Sequence, residues 1–409
     1  LGLYRLLLRL LMPVLILHVL GQRLRGRVGA GALRERLALG AAEGADLWLH
    51  GASNGELTSV RWLLERLLAE TPGLRIIVTC NSWTARAMVA GWGLPGLRVR
   101  LAPFDSPSAV RRFIAAWRPH ALILIESELW PERIARMAER GPVIALGARM
   151  SEGSARNWRR VAGGLAAAML GRIALLSAQD AGSETRFRAL GLPQDRIAPR
   201  LMLKARATGQ AATLPFAPPA ARARLLLAAS THAGEEAVIL TGFAQAREVF
   251  DLLILAPRHP RRSAEVADAI RASGLSHATR SAGEVPGPGT AVYLADTLGE
   301  MDAWYAMAGA TVIGGTFGDA GGHTPYEPAA HGSAILHGPG TANFREVFAR
   351  LDAAGAALAV TAETLGPALR GLTPARQAAL AAAAPAVLAP ADEAALLAAL
   401  RPLLPQPSE

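Results

Sequence analysis

The feature that most constrains this 409-residue chain is a rhythm that occurs twice. Short apolar runs alternate with amphipathic helical patterns, the series stops at a proline-bearing stretch, and then it starts again. In the first half, apolar runs at 47–50, 75–79, 99–101, 121–125 and 143–146 predict strands. Between them, 57–70, 84–90, 108–117 and 131–139 predict helices, with Leu57, Val60, Leu64, Leu67 and Leu68 on one face of the first. Residues 207–223 contain three prolines and no clear period, which marks a linker. Strands at 224–229, 252–256, 291–294 and 310–314 then alternate with helices at 235–248, 264–273 and 301–307. Alternation on this length scale predicts parallel sheets covered on both faces by helices. Two such halves joined by a linker is the plan of an enzyme that holds two substrates in an interdomain cleft. The expected divisions are an apolar and basic segment 1–36, a first domain 37–206, the linker 207–223 and a second domain 224–375. An Ala-rich helical segment, 376–409, follows and is expected to break at Pro385 and Pro390.

Composition narrows the function. Apolar residues make up 51% and charged residues 19%, which argues against disorder. Cys80 stands alone, so an internal disulfide framework and a thiolate metal cluster are excluded. His323, His331 and His337 lack carboxylate or thiolate partners at ligand spacing, and neither a metal nor another cofactor is expected. The net charge of +10 predicts an anionic partner. Of the 43 cations 42 are Arg, which makes the solitary Lys204 a candidate for a role that only an ammonium fills. The arginines are scattered through Ala/Leu-rich stretches with no nucleic-acid module pattern, so nucleic acid is the weakest partner class.

Residues 1–20 are strongly apolar, with Arg5 and Arg9 on one helical face, and Pro13 is expected to kink or break a helix there. Arg23, Arg25, Arg27, Arg34 and Arg36 follow. No small-x-small site closes the apolar stretch, which disfavours a cleaved signal peptide. Two arginines make a full span costly. A helix lying at an anionic membrane surface fits best, and a single spanning anchor and a helix buried in the fold stay open beside it. The basic run fits retention on the cytoplasmic side.

In open parallel sheets, ligands sit beyond the carboxyl ends of strands, so polar clusters there carry the chemistry. The first is His50-Gly-Ala-Ser53-Asn-Gly55-Glu56. Glu56 there suits a general base that deprotonates a hydroxyl. Ser53-x-x-Glu56 is equally a capping box, and the local sequence leaves both roles open. The second is Glu126-Ser-Glu128-Leu-Trp-Pro131, two carboxylates at the end of an apolar strand. They belong in a cleft or against arginines, because burying them alone is costly. In the second half, Ser230, Thr231 and His232 follow a strand and open a helix, which suits a phosphate or a plain N-cap. Arg258 and His259 close the next strand, and Asp296-Thr-Leu-Gly299-Glu300 repeats the strand-to-helix arrangement. Gly321-Gly322-His323-Thr324-Pro-Tyr-Glu327-Pro328 combines close backbone approach, an imidazole for a phosphate and a carboxylate for ribose hydroxyls. Complementing a helix dipole is the plainer role for Glu327.

Taken together, in this order and spacing, these segments resemble the 3-deoxy-D-manno-octulosonic acid (Kdo) transferases of lipopolysaccharide synthesis. The resemblance runs from the apolar N-terminus to about residue 350. It implies an α/β GT-B fold of two Rossmann-like domains facing across a cleft, with an N-terminal membrane-associated helix. It implies metal-independent, inverting transfer of Kdo from CMP-Kdo to a phosphorylated lipid A precursor at the cytoplasmic face of the inner membrane. Glu56 would then be the catalytic base, with Ser53, Gly55, Glu126, Glu128 and Lys204 on the acceptor side. Ser230, Thr231, His232, Arg258, His259, Asp296, Gly299, Glu300, Gly322, His323, Thr324 and Glu327 would hold the donor. The sequence departs from the family pattern at Met202 and Thr324, where the family carries Asn, and at Asn54, where it carries Val. A transferase of another nucleotide sugar and a catalytically silent lipid-binding relative are the alternative readings.

Overall fold

The computed structural model describes residues 1–40, 42–203, 213–389 and 393–405. Lys204 and residues 207–212 of the expected linker lie outside the described residues. The chain divides into two compact units, one of Leu1–Leu203 with the C-terminal residues from Pro390, the other ending at Ala389.

The first unit is built on a seven-stranded sheet of β1 (Leu47–His50), β2 (Ile76–Cys80), β3 (Leu97–Leu101), β4 (Ala121–Ile125), β5 (Val143–Ala148), β6 (Leu175–Ala178) and β7 (Ile197–Ala198). All pairings are parallel and the order is β3-β2-β1-β4-β5-β6-β7. The Ile, Leu and Val runs of β1, β2, β4 and β5 are buried along their whole length, as strands covered on both faces must be. Strand order reverses between β1 and β4, and loops leaving the carboxyl ends of those two strands diverge there.

The second unit repeats the plan with β8 (Leu225–Thr231), β9 (Leu252–Pro257), β10 (His277–Thr279), β11 (Val292–Leu294), β12 (Ala310–Ile313), β13 (Ala334–His337) and β14 (Ala357–Ala359). The order is β10-β11-β9-β8-β12-β13-β14, again all parallel. Here the reversal falls between β8 and β12. Each unit is thus Rossmann-like, with one switch point.

Three expectations are corrected. The helix predicted over 57–70 is two helices, Asn54–Ser59 and Arg61–Glu70, separated at Val60. The Ser59 hydroxyl donates to the Glu56 carbonyl at 2.7 Å and competes with the backbone for it. Of the kink or break expected at Pro13 the break is absent, since the helix Gly2–Leu24 runs through it, and Pro385 does not break Pro374–Leu388. Both rings are exposed, so the carbonyl each leaves unbonded can meet water instead. The C-terminal helix Glu393–Leu400 buries Leu396 and Leu400 in the core of the first unit, beside residues of β1 and β2.

Candidate active site

The loops at the first switch point bring the acceptor-side candidates together. Ser53 caps the helix Asn54–Ser59 and accepts from the Glu56 N–H at 3.4 Å. In return Glu56 Oε2 accepts from the Ala52 N–H at 2.7 Å, and Oε1 accepts from the Ser53 hydroxyl at 2.9 Å. The Ser53 half of the capping box is therefore formed, while Glu56 reaches back to the Ala52 N–H rather than to that of the N-cap residue itself. Burial nevertheless pushes the Glu56 carboxyl up to about 7; the bonds from Ala52 and Ser53 pull the other way, and Glu126 and Glu128 add to the rise. A carboxyl poised there exchanges its proton near neutral pH, as a general base must. Capping and proton transfer are compatible in one side chain. A Cβ added at Gly55 would meet nothing within 4 Å, so the helix start is open beside Glu56.

Glu128 is held by three donors on one oxygen. Its Oε2 receives the Trp130 Nε1–H at 2.7 Å, His50 Nε2 at 2.9 Å and the Asn81 amide at 3.1 Å. His50 is fully buried, and its Nδ1 lies 3.0 Å from the Thr79 hydroxyl, which in turn accepts from Trp48 Nε1 at 2.8 Å. The Thr79 carbonyl lies at the same 3.0 Å from His50 Nδ1, so a neutral imidazole that donates from Nε2 to Glu128 accepts from the Thr79 hydroxyl at Nδ1 and leaves that carbonyl to the Gly51 N–H at 3.1 Å. Burial, with Arg133 nearby, holds His50 well below the ordinary imidazole range. Burial works against the Glu128 carboxylate, but the bonds from His50 and Trp130 and the charge of Arg133 keep it ionised. Arg133 is itself buried, with its guanidinium 5.5 Å from the Trp48 ring and 5.6 Å from that of Trp130. Its Nε and Nη1 have no hydrogen-bond partner among the described residues.

Glu126 directly follows β4 with a left-handed backbone, φ 54°, and Ser230 at the end of β8 has φ 61°. A side chain in that region is strained, and such strain gathers at functional loops. The two switch points therefore each carry one strained candidate.

In the second unit the donor-side candidates converge on the ends of β8, β9 and β12. Close approach is possible because residue 314 is glycine: a Cβ there would fall 2.3 Å from the Ser230 carbonyl oxygen. His232 Nε2 and His323 Nε2 lie 2.8 Å apart. The Arg258 N–H donates to the Thr231 carbonyl at 3.0 Å, and the His259 ring centroid is 6.1 Å from that of His232. Desolvation and the neighbouring Arg261 and Arg258 keep His259 below the ordinary imidazole range. Gly322, at φ 81°, leads into His323; Thr324 accepts from the Tyr326 N–H at 3.3 Å. Glu327 sits in the first turn of the helix Tyr326–Ala330 and accepts from the Tyr305 hydroxyl at 3.3 Å.

Asp296, Gly299 and Glu300 follow β11, two strands from β8. Asp296 accepts from Ser281 N–H at 2.8 Å and from the Ser281 and Ser263 hydroxyls. Glu300 pairs with Arg280 at 2.7 Å. Both carboxylates are thus engaged with their own surroundings rather than gathered with the histidines.

A family model described as 3-deoxy-D-manno-octulosonic-acid transferase (kdotransferase) matches residues 31–207. The 3-deoxy-D-manno-octulosonic acid transferase of Bordetella pertussis is 34% identical over 339 residues, covering 77% of this chain and 76% of its own. The protein so named from Haemophilus influenzae is 31% identical over 342 residues, covering 80% and 78%. This chain is a member of the Kdo transferase family. Among solved structures, UDP-GlcNAc 2-epimerase from Neisseria meningitidis bound to UDP-GlcNAc superposes with a TM-score of 0.57 at 13% identity, over 87% of this chain and 99% of that one. At that identity the likeness concerns the fold, which is the GT-B plan of two Rossmann-like halves.

Within this Kdo transferase, reasoning from sequence missed two carboxylates that organise the loops of the second switch point. Glu235 is buried and accepts from the N–H groups of His232 at 2.8 Å, Gly315 at 2.6 Å and Phe317 at 2.8 Å. One side chain thereby ties the loop after β8 to the loop after β12. Glu236, also buried, accepts from the Thr231 hydroxyl at 2.9 Å and pairs with Arg262 at 2.8 Å, which ties in the loop after β9. The signal was present as two adjacent glutamates closing the Ser-Thr-His cluster at a helix start, where they read as ordinary first-turn acids.

Proposed function

We propose that the chain transfers Kdo from CMP-Kdo to a phosphorylated lipid A precursor, with Glu56 as general base. The single observation that carries this is the Glu56 carboxyl, pushed up to about 7 at the first switch point of a chain belonging to this family. The acceptor hydroxyl gives its proton to Glu56 as its oxygen bonds to the anomeric carbon of the donor sugar. The bond from that carbon to the phosphate oxygen breaks, and CMP leaves. Nearby Glu126 and Glu128 raise the proton affinity of Glu56, so the base strengthens where the proton must land. Ser230, Thr231, His232, Arg258, His259 and His323 are assigned to the phosphate, with donors and cations where negative charge develops. Glu327 is assigned to the ribose hydroxyls. Asp296, Gly299 and Glu300 shape the donor side through Ser263, Ser281 and Arg280, and Gly322 and Thr324 shape the turn that presents His323. Lys204 stays a candidate for the acceptor side.

The lipid acceptor is assigned to an anionic membrane surface, reached from the cytoplasmic side. Support comes from the two faces of the helix Gly2–Leu24. Tyr4, Leu8, Met12, Leu15 and Val19 recur at helical spacing and are wholly or partly covered by the first unit. The Tyr4 hydroxyl donates to Asp105 at 2.7 Å, and Arg5 pairs with Glu132 at 2.7 Å. Leu3, Leu7, Leu10, Val14 and Leu17 form the opposite, exposed stripe, and Arg9, Arg23, Arg25 and Arg27 are exposed beside it. A helix held along its length with an apolar stripe outward suits a position in the plane of the membrane rather than across it.

The deciding experiment is transfer from CMP-Kdo to lipid A precursor by wild type and Glu56→Gln. Wild type should transfer, and the variant should lose on the order of a hundredfold to ten-thousandfold in rate with its fold intact. Equal rates would leave Glu56 with its capping role alone.

A further inference from the structure

His232 and His323 meet through their Nε2 atoms at 2.8 Å, their ring planes are 14° apart and their centroids 5.1 Å apart. Those three values admit one arrangement. Two imidazoles whose nitrogens are that close can have centroids so far apart only if they lie end to end in nearly one plane. The contact is therefore a linear N–H···N hydrogen bond, in which one Nε2 donates and the other accepts. Two protons on the contact would set two N–H groups against each other, and none would set two lone pairs against each other. Hence one proton is shared by the pair.

The backbone beside the two rings is tied together. The His232 backbone N–H is held by Glu235, which also holds Gly315 and Phe317 of the loop leading to His323. Among the described residues, the charged and titratable groups found against this corner include Glu235 and Glu236 from the helix start, and Arg258, His259 and Arg262 from the loop after β9. Glu236 and Arg262 neutralise each other as an ion pair.

We propose that His232 and His323 form a proton-loading dyad for the donor phosphate. This rests on the reading that CMP-Kdo binds at the β8/β12 switch point. A phosphate offers only acceptors to this corner, so engaging both rings opens the Nε2–Nε2 contact and requires an N–H on each Nε2. The shared proton supplies one, and a second is taken up from solvent as the donor binds. When the bond between the anomeric carbon and the phosphate oxygen breaks, its electrons stay on that oxygen. The two N–H groups hold the negative charge that develops on that oxygen, CMP departs as the dianion, and the extra proton returns to solvent as the pair goes back to one shared proton. The acceptor's own proton travels separately to Glu56, so the proton gained on binding equals the proton released as CMP departs.

The test is CMP binding by calorimetry between pH 7.5 and pH 9, in buffers of different ionisation enthalpy. CMP is a dianion throughout this range, with its second phosphate pKa near about 6. Wild type should take up close to one proton per CMP, with affinity falling toward about tenfold per pH unit. His232→Gln can still offer an N–H to phosphate but cannot load a proton; it should bind CMP with uptake near zero and a flat pH dependence. His323→Gln should behave in the same way, which covers a failure of the first variant to fold. His259→Gln should keep the uptake. Binding by wild type without proton uptake would overturn the dyad while leaving the donor reading standing, as would uptake that survives in both dyad variants or disappears in His259→Gln. Absence of CMP binding by folded wild type would remove the donor reading and the dyad with it.

Discussion

Ionising Glu56 places a charge in a half-buried pocket within electrostatic reach of Glu126 and Glu128, and the fold resists it. The consequence for stability has a definite sign. The carboxyl is held up to about 7 in the folded chain, above its ordinary value, so the folded state binds the proton more tightly than the unfolded state. Stability linked to Glu56 is therefore complete at acid pH and is lost as pH rises through about 7. Glu56→Gln keeps an acceptor for the Ala52 N–H and carries no charge to desolvate. It should unfold at a higher denaturant concentration than wild type at pH 8, and the gap should close as pH falls below the ordinary glutamate range. The rate should run the opposite way, with wild-type transfer climbing through about pH 7 as the base form appears. A variant that is more stable and inactive, measured by urea unfolding and transfer on the same preparation, is the expected signature of a destabilised functional residue. A variant less stable than wild type at pH 8 would count against the pocket's resistance to charge.

At the scale of elements, the loops leaving parallel strands are where each unit becomes specific. Their backbone N–H groups point away from the sheet ladder, and Glu235 satisfies three of them from two different loops. Removing that acceptor leaves buried donors unmet, at about 1–3 kcal/mol each. Glu235→Ala should therefore lower the unfolding midpoint of the second unit and weaken CMP binding together, while Glu235→Gln, which keeps one acceptor oxygen, should fall between. Calorimetry with CMP and denaturant unfolding check both; unchanged CMP affinity in the alanine variant would separate the loop tie from the donor site. In the first unit the equivalent ordering is done by the chain from Trp48 to Glu128, which needs residues from β1, β2 and the loop after β4.

At the scale of the whole molecule, the chain passes through two units and returns to the first. Leu396 and Leu400 are nearly inaccessible there, so Leu396→Ala should cost about 2–5 kcal/mol in the first unit despite following the second in sequence. In thermal unfolding followed unit by unit, only the transition of the first should shift. The helix Gly2–Leu24 gives a second test: wild type should float with vesicles containing phosphatidylglycerol, and Leu10→Glu with Leu17→Glu should abolish flotation while leaving the melting curve in place. Flotation of the double variant equal to wild type would remove the exposed stripe as the membrane contact. The sequence alone determined the doubled strand-and-helix rhythm, and it marked the strand ends, because polar clusters such as Glu126-Ser-Glu128 cannot continue a buried apolar run. It also contained both roles of Glu56 without choosing between them. Tertiary structure decided strand order, and with it that the loops after β1 and β4, and after β8 and β12, share a switch point. It decided the proton affinity of Glu56, the meeting of His232 with a partner 91 residues away, and the unbroken helices at Pro13 and Pro385. The physical reason is range: periodicity and capping act over a few residues and are legible along the chain, whereas desolvation and contact depend on what packing brings alongside.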